Sequence, residues 1–321
     1  MKIFPRPRIV VSACLEFEKV RYDGKVIPCG IVRDLQKYAD FIKVCPEYEI
    51  GLGVPRDTIR IVKAGAGERL VQPKTGKDVT EDMDAFTDRF LDSLPGVDGF
   101  IFKSRSPTIG LKDIRIYKGP HDPNVVGKTS GFFARKILDR YYGYPIEEDD
   151  RLRNSKIKHH FLTALFTFAG LRSVKESGSH EMLGEFLKKN RYLIKLYNPG
   201  LYKKMIEMYE NNRPIADQYE ALRHVFETMP SREDYVVISK EIFDEYSGRT
   251  TDKERTWFND ALDKYEKNKI DLNGLLEVLL YFATGFEDRD MLEQSLFEPY
   301  PLDLMPDIDV NRDRDYANVK H

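Results

Sequence analysis

An α/β layer with a mainly parallel sheet, followed by an all-α region, is the architecture this sequence predicts. In the first half, short β-branched runs alternate with segments of helical spacing. Near Asp149–Arg153 (DDRLR) the character changes, and amphipathic helices follow one another from there on. The 321 residues suit two domains of ordinary size, divided here into residues 1–150 and 151–321.

Arg8–Leu15 (RIVVSACL) is β-branched and continuous, the pattern of a buried strand. Ile31–Phe41 carries helical spacing at Ile31, Leu35 and Tyr38. Phe41–Cys45 (FIKVC) is a second strand, stopped by Pro46. Thr58–Val62 (TIRIV) alternates as a strand. Thr80 is placed to cap a helix reaching about Leu94, with Glu81 and Asp82 in its first turn. Gly99–Lys103 (GFIFK) is a further strand, and Gly131–Tyr142 a helix. Beyond the boundary, Phe161, Leu162, Leu165, Phe166, Phe168 and Ala169 make a broadly apolar helix. Glu181–Leu187, Tyr202–Tyr209, Ala216–Glu227, Lys253–Tyr265 and Leu272–Phe282 continue the helical pattern.

Composition narrows the class. Hydrophobic residues at 41% and charged residues at 32% describe a globular chain with real cores. No apolar run approaches the ~18 residues that a membrane helix needs, and the first residues do not read as a secretory signal. Three cysteines, an odd number in a long chain, argue against a disulfide scaffold and for a reducing, cytoplasmic setting. Reduced thiols leave metal or cluster binding open.

The net charge of −2 says little, but its distribution says more. Residues 151–200 hold ten Lys and Arg against three Glu, a difference of 10 − 3 = +7, while residues 251–300 are acidic. A basic block beside an acidic one allows either a polyanion-facing surface or a solvated helical face.

Several reactive residues fall at strand ends. Cys14 closes the first strand and Cys45 the second, followed by Pro46 and Glu47. Ser104, Arg105, Ser106 and Pro107 follow the GFIFK strand. Ligands of open α/β sheets sit beyond the carboxyl ends of the strands, so these segments should converge on one crevice. Cys29, in Pro28-Cys29-Gly30, precedes a helix whose dipole favours a thiolate. The cysteines are 15 and 16 residues apart, which by itself leaves buried thiols and metal ligands both open.

Two further motifs promise less. Gly127-Lys128-Thr129 resembles the end of a phosphate loop, but Asp122 stands where the loop's first glycine belongs. Gly127–Gly131 keeps the option of binding an anion on entering a helix. The neighbours His159 and His160 would project about 100° apart on a helix, so they cannot chelate one metal and are expected to meet phosphate or solvent.

Taken together, Ser12-Ala13-Cys14-Leu15, Arg21-Tyr22-Asp23-Gly24, Cys45-Pro46-Glu47, Gly51–Arg56 (GLGVPR) and Lys103–Pro107 (KSRSP) resemble the thiouracil desulfidase family, over roughly residues 5–148. The second half resembles the all-helical YbgA-like domain, up to the closing Phe297-Glu298-Pro299-Tyr300-Pro301. This arrangement is similar to fused desulfidases of tRNA 4-thiouridine. The resemblance implies a [4Fe-4S] cluster held by three cysteines. One iron is left open as a Lewis acid toward a thiocarbonyl, and desulfuration is non-redox. It implies Cys14 and Cys45 as ligands, and Glu47 as the proton-moving acid with Ser106 orienting water or base. It also implies Ser12, Arg21, Ser104 and Arg105 on the substrate side. The partner is then tRNA or a thiolated nucleobase, and the helical domain is a tRNA dock.

One position departs from the family's pattern. Where the family has S-R-S-P-S-C-G, this chain reads Ser104-Arg105-Ser106-Pro107-Thr108-Ile109-Gly110. Ile109 cannot ligate iron, and Cys29 is the remaining cysteine, so Cys29 is expected as the substitute ligand. Two alternatives stand beside this reading. One is a desulfidase of free thiouracil or another small thiolated molecule. The other is a non-catalytic RNA-binding protein without the cluster.

Overall fold

The computed structural model describes residues 2–305. The first unit, up to Ala169 and again from Asp303, contains two sheets, and the second unit, Gly170–Leu302, is helical. The expected α/β and helical regions are therefore both present.

The first sheet is built from β1 (Arg8–Ser12), β2 (Asp40–Val44), β6 (Gly99–Phe102) and β9 (Ile146–Glu148), in the order β2-β1-β6-β9 with every pair parallel. Its strands read as continuous apolar runs because both faces are covered. Ile9, Val10 and Val11 are each 0% exposed although their side chains alternate between faces. Gly99 belongs here for a steric reason. A Cβ at this position would lie 2.8 Å from Leu165 Cδ1 and 2.9 Å from the Pro145 carbonyl oxygen.

The second sheet was not expected. β3 (Arg60–Ala64), β4 (Gly67–Gln72), β5 (Lys77–Asp78), β7 (Ile114–Tyr117) and β8 (Val125–Thr129) run in the order β5-β4-β3-β7-β8, antiparallel except for β3 with β7. Ile61, Leu70, Ile114 and Ile116 from this sheet share one core with Val10, Phe100 and Phe102 from the first.

Helices join that core. α1 (Gly30–Leu35) is shorter than its periodicity suggested, because Asp40 must already be extended to pair with Arg8. α2 (Pro46–Glu49) is a single turn with proline at its start, where a missing N–H costs nothing. α3 (Thr80–Ser93) buries Met83, Thr87 and Leu91, one stripe at i, i+4, i+8. Thr80 is not its cap. Val79 holds that position, while the Thr80 hydroxyl accepts from Leu70 N at 2.8 Å and donates to Asp78 at 2.6 Å. α4 (Phe132–Arg140) buries Phe132, Phe133, Ala134 and Ile137.

α5 (Ser155–Ser177) follows, and both Ala169 and Gly170 lie within it. The helical unit continues with α6 (His180–Lys189), α7 (Arg191–Tyr197), α8 (Pro199–Glu210), α9 (Ile215–Val225), α10 (Arg232–Asp244), α11 (Asp252–Glu266), α12 (Leu272–Gly285) and α13 (Arg289–Leu292). Reciprocal capping boxes, Ser231 with Asp234 and Thr251 with Glu254, start α10 and α11. Its core gathers Tyr192, Ile242, Tyr246, Phe258, Leu275, Leu279 and Phe282. Among the described residues no helix is long and apolar enough to cross a membrane.

Candidate functional site

The carboxyl ends of the four parallel strands carry the chemistry. After β1, Ala13 N donates to Val44 O at 2.9 Å, which fixes Cys14 beside the end of β2. After β2, Cys45 is extended (φ −129°) and its carbonyl accepts from Tyr48 N, starting α2 and placing Glu47 in the first turn. After β6, Lys103 N donates to Ser12 Oγ at 2.9 Å, so Ser12 pins two strand ends together. After β9, Asp149 accepts from Ser104 N at 2.8 Å and pairs with Lys103 Nζ at 2.9 Å.

These ends surround a cavity of about 590 Å³, inside the ~300–1,000 Å³ range of small-molecule sites. Cys14, Cys45, Glu47, Ser106, Ser12, Arg21, Ser104 and Arg105 all line it. The crevice expected from the strand-end rule is therefore real. Cys29 is not among the lining residues. It is buried at the start of α1, with its N–H donated to the Glu16 carboxylate and its carbonyl accepting from Arg33 N at 3.0 Å.

Glu47 is held on both oxygens. Arg56 Nε donates to Oε2 at 2.8 Å, and Thr108 Oγ1 donates to Oε1 at 3.1 Å. The Arg56 side chain is only 4% exposed and also donates to Val20 O, Gly53 O and, at 3.7 Å, the Cys45 sulfur. Ser106 Oγ sits 2.9 Å from Thr108 Oγ1. A continuous path of hydroxyls thus runs from Ser106 through Thr108 to Glu47. Thr108, Arg56, Lys103 and Asp150 line the pocket without having been assigned roles from sequence. Arg56 and Lys103 stood in quoted motifs, but their bonds to Val20 and Asp149 reach across the chain.

The rim is charged. Asp150 accepts from Ser104 Oγ at 2.8 Å and faces Arg105 at 3.7 Å. Burial opposes its ionisation, yet the Ser104 hydroxyl and the cations Lys103, Arg153 and Arg105 hold its carboxyl below the usual range. Arg105 has left-handed backbone (φ 62°) and an exposed side chain. Arg21 pairs with Asp23 and stacks on the Tyr22 ring at 4.4 Å.

Burial governs the thiols. It pushes Cys14 up to about 12, with the charge of Cys45 adding to the rise. Burial raises Cys45 as well, opposed by the Tyr48 N–H and by Arg56. Cys29 is pushed up to about 11, so burial overrides the helix-start effect expected to favour its thiolate; the helix is only six residues long.

The anion option at Gly127–Gly131 is closed. Val125–Thr129 is an edge strand, and the first N–H groups of α4 are taken by Pro107 O (from Phe132, 3.2 Å) and Thr108 O (from Phe133, 2.9 Å, and Ala134, 3.0 Å). At His159 burial pushes the imidazole down to about 4, which favours its neutral form.

Residues 9–149 match the family model described as 2-thiouracil desulfurase. Residues 191–301 match one described as a protein of unknown function, DUF1722. The motif resemblances are thereby borne out on both segments, and the first is an enzyme domain. The segment that matches the desulfurase model contains the whole lining of the pocket except Asp150. A solved structure described as a [4Fe-4S]-dependent thiouracil desulfidase, TudS, is 29% identical over 46% of this chain and 93% of its own, with a TM-score of 0.36. No curated protein matches.

The donor chemistry of the matched segment fits an iron–sulfur cluster at two points and departs at a third. Cys14 and Cys45 are free thiols lining one cavity. Ile109 fills the lining where the resemblance calls for a third thiolate. Among the described residues, no three of His, Cys, Asp and Glu stand where they could hold a single metal ion.

Proposed function

We propose that this chain hydrolytically desulfurates a thiolated uracil. The observation that carries the reading is the convergence of Cys14, Cys45, Glu47 and Ser106 on one cavity within the segment that matches the desulfurase model. Water replaces sulfur: its oxygen bonds to the ring carbon, the C–S bond breaks, and sulfur leaves as hydrogen sulfide with both protons of the water. No net electron transfer occurs.

Cys14 and Cys45 are the residues that would hold a [4Fe-4S] cluster, which when bound supplies Lewis acidity toward the thiocarbonyl sulfur. Glu47 takes the proton of the attacking water and passes it on. Arg56 and Thr108 fix the two oxygens of that carboxylate, so it enters the reaction already oriented. Ser106 positions the water. Arg21, with Tyr22, and Arg105 hold the base at the rim. Turnover of free 4-thiouracil by anaerobically reconstituted protein tests this. Glu47→Gln should lose activity by ~10²–10⁴-fold, and an unchanged rate would reject the assignment.

The finer reading is 4-thiouridine within tRNA, in a cytoplasmic setting suited to three free cysteines. The base would leave its stack to reach the cavity, and the YbgA-like domain would dock the backbone. A second reading, free thiouracil as substrate, is favoured by one specific observation. Much of the basic block is neutralised within its own unit: Lys188 with Asp290, Lys189 with Glu293, Arg191 with Glu245 and Lys195 with Glu241. A third reading, an RNA-binding protein without the cluster, is favoured by Ile109. Turnover on thiolated tRNA against free 4-thiouracil separates the first two. Iron-free protein that binds tRNA and turns over neither substrate would favour the third.

A further inference from the structure

We infer that the thiol site of this chain is built on two cysteines only, Cys14 and Cys45, and that Ile109 leaves its third corner without a protein ligand while Cys29 stays apart from it. The inference rests on the reading of the pocket as a cluster site and concerns which residues of this chain complete it.

Ile109 is 4% exposed and faces two ways. It contributes to the cavity lining and packs into the core that holds Ile114, Phe132 and Phe133. Its backbone is pinned on both sides. Gly110 N donates to Ser106 O at 2.9 Å, and Gly131 N donates to Gly110 O at 2.8 Å. The carbonyls of Pro107 and Thr108 accept the opening N–H groups of α4. Gly131 also lies against this segment, since a Cβ there would meet the Thr108 carbonyl and come within 2.9 Å of Ile109 N. The segment therefore cannot slide to bring a neighbouring side chain into the corner.

Cys29 is equally fixed, but elsewhere. The chain between Cys14 and Cys29 folds back on itself, with Ile27 N donating to Cys14 O at 2.7 Å and a bridge between Leu15 and Ile27. Glu16 then holds both the Cys29 N–H and the Arg33 guanidinium. These bonds fix the Cys29 backbone at the start of α1, and Cys29 is not among the residues that line the cavity.

Anaerobic reconstitution of the full chain with iron and sulfide tests this, reading iron per chain, visible charge-transfer absorbance and the rate of iron loss to a chelator. Wild type, C14A, C45A, C29A, C29S, I109C and the double variant C29A/I109C are compared. We expect C14A and C45A to lose most of the iron, and C29A or C29S to match wild type. I109C should retain iron at least tenfold longer than wild type, with or without Cys29. A wild type that takes up no iron while I109C does supports the inference, because the missing corner is then what prevents assembly. Loss of iron in folded C29A or C29S to the level of C14A overturns it. Should both Cys29 variants fail to fold, I109C decides: no gain in retention overturns the inference. Turnover of 4-thiouracil by the same samples keeps the functional reading separate, since the expected iron pattern without turnover would sink that reading and leave the ligand assignment standing.

Discussion

Thr108 connects two groups that the sequence places 59 positions apart, Glu47 and Ser106. Removing its hydroxyl leaves one oxygen of a buried carboxylate short of a donor, a loss of about 1 kcal/mol for an ordinary hydrogen bond. Thr108→Val should therefore lower kcat on 4-thiouracil about fivefold with KM little changed, and Thr108→Ser should restore it. An effect confined to KM would assign Thr108 to substrate binding instead. Arg56→Gln should be costlier, because it strands Glu47 and also frees Val20 O and Gly53 O. Cys14, Cys45, Glu47 and Ser106 were legible in the sequence because each sits inside a short motif. Thr108 was beside those motifs and Arg56 within one, yet the contacts of Thr108 with Glu47 and of Arg56 with Val20 were not legible, because they span tens of residues and are made by tertiary folding, not by local pattern.

Among the elements, α4 carries the tightest constraint on the site. Its opening turn is closed by the same segment that supplies Ser106, Thr108 and Ile109, so helix start and pocket wall are one piece of backbone. Gly131→Ala should push this wall aside. The expected result is destabilisation of ~1–3 kcal/mol, the usual cost of overpacking, together with lost activity, measured by urea unfolding and turnover. On α5, His159 gives the chain a pH signature. Its folded value near 4 lies below the ordinary value of 6.5, so the unfolded chain binds its proton first. The stability this contributes is present above about 6.5 and is lost as pH falls toward 4. His159→Gln should flatten that part of the stability–pH curve, and an unchanged slope would show that another group is responsible. The first sheet was legible because its strands are uninterrupted apolar runs. The second sheet was not, because β5 is two exposed charged residues and β8 carries Val125 and Val126 on its outside. The alternating TIRIV run marked β3, and Ile114 and Ile116 gave β7 a period of two, but nothing local showed that these strands pair. The end of α1 was misread for a related reason. Strand pairing of Asp40 with Arg8 overrode a spacing that would have carried the helix further.

For the molecule as a whole, charge balance sets what the helical unit can offer a polyanion. Its basic residues on α6 and α7 meet acidic residues of α10 and the α13 region in pairs. Reversing Lys188 and Lys189 to Glu should lower the melting temperature at low salt, with the loss shrinking as salt rises and screens the new repulsion. Unchanged tRNA affinity in the same variant would count against docking by this surface, whereas weaker affinity with a shallower salt slope would support it. The fold class and the helical second half were legible from periodicity alone.

The start of α5 has a practical consequence. Leu165 closes over Gly99, Phe166 meets the Phe4 ring at 6.0 Å, and Phe168 meets Tyr144 at 4.5 Å, while the Tyr38 hydroxyl donates to Asp303 at 2.6 Å. A fragment ending at residue 150 matches the desulfurase segment almost completely, yet it would leave one side of the parallel sheet uncovered. Such a fragment should precipitate or bind hydrophobic dyes, whereas one carried through Ala169 and joined by a short linker to Asp303 should remain monodisperse in gel filtration. The first compact unit thus reaches beyond the segment matched in sequence, and excising it means cutting within α5.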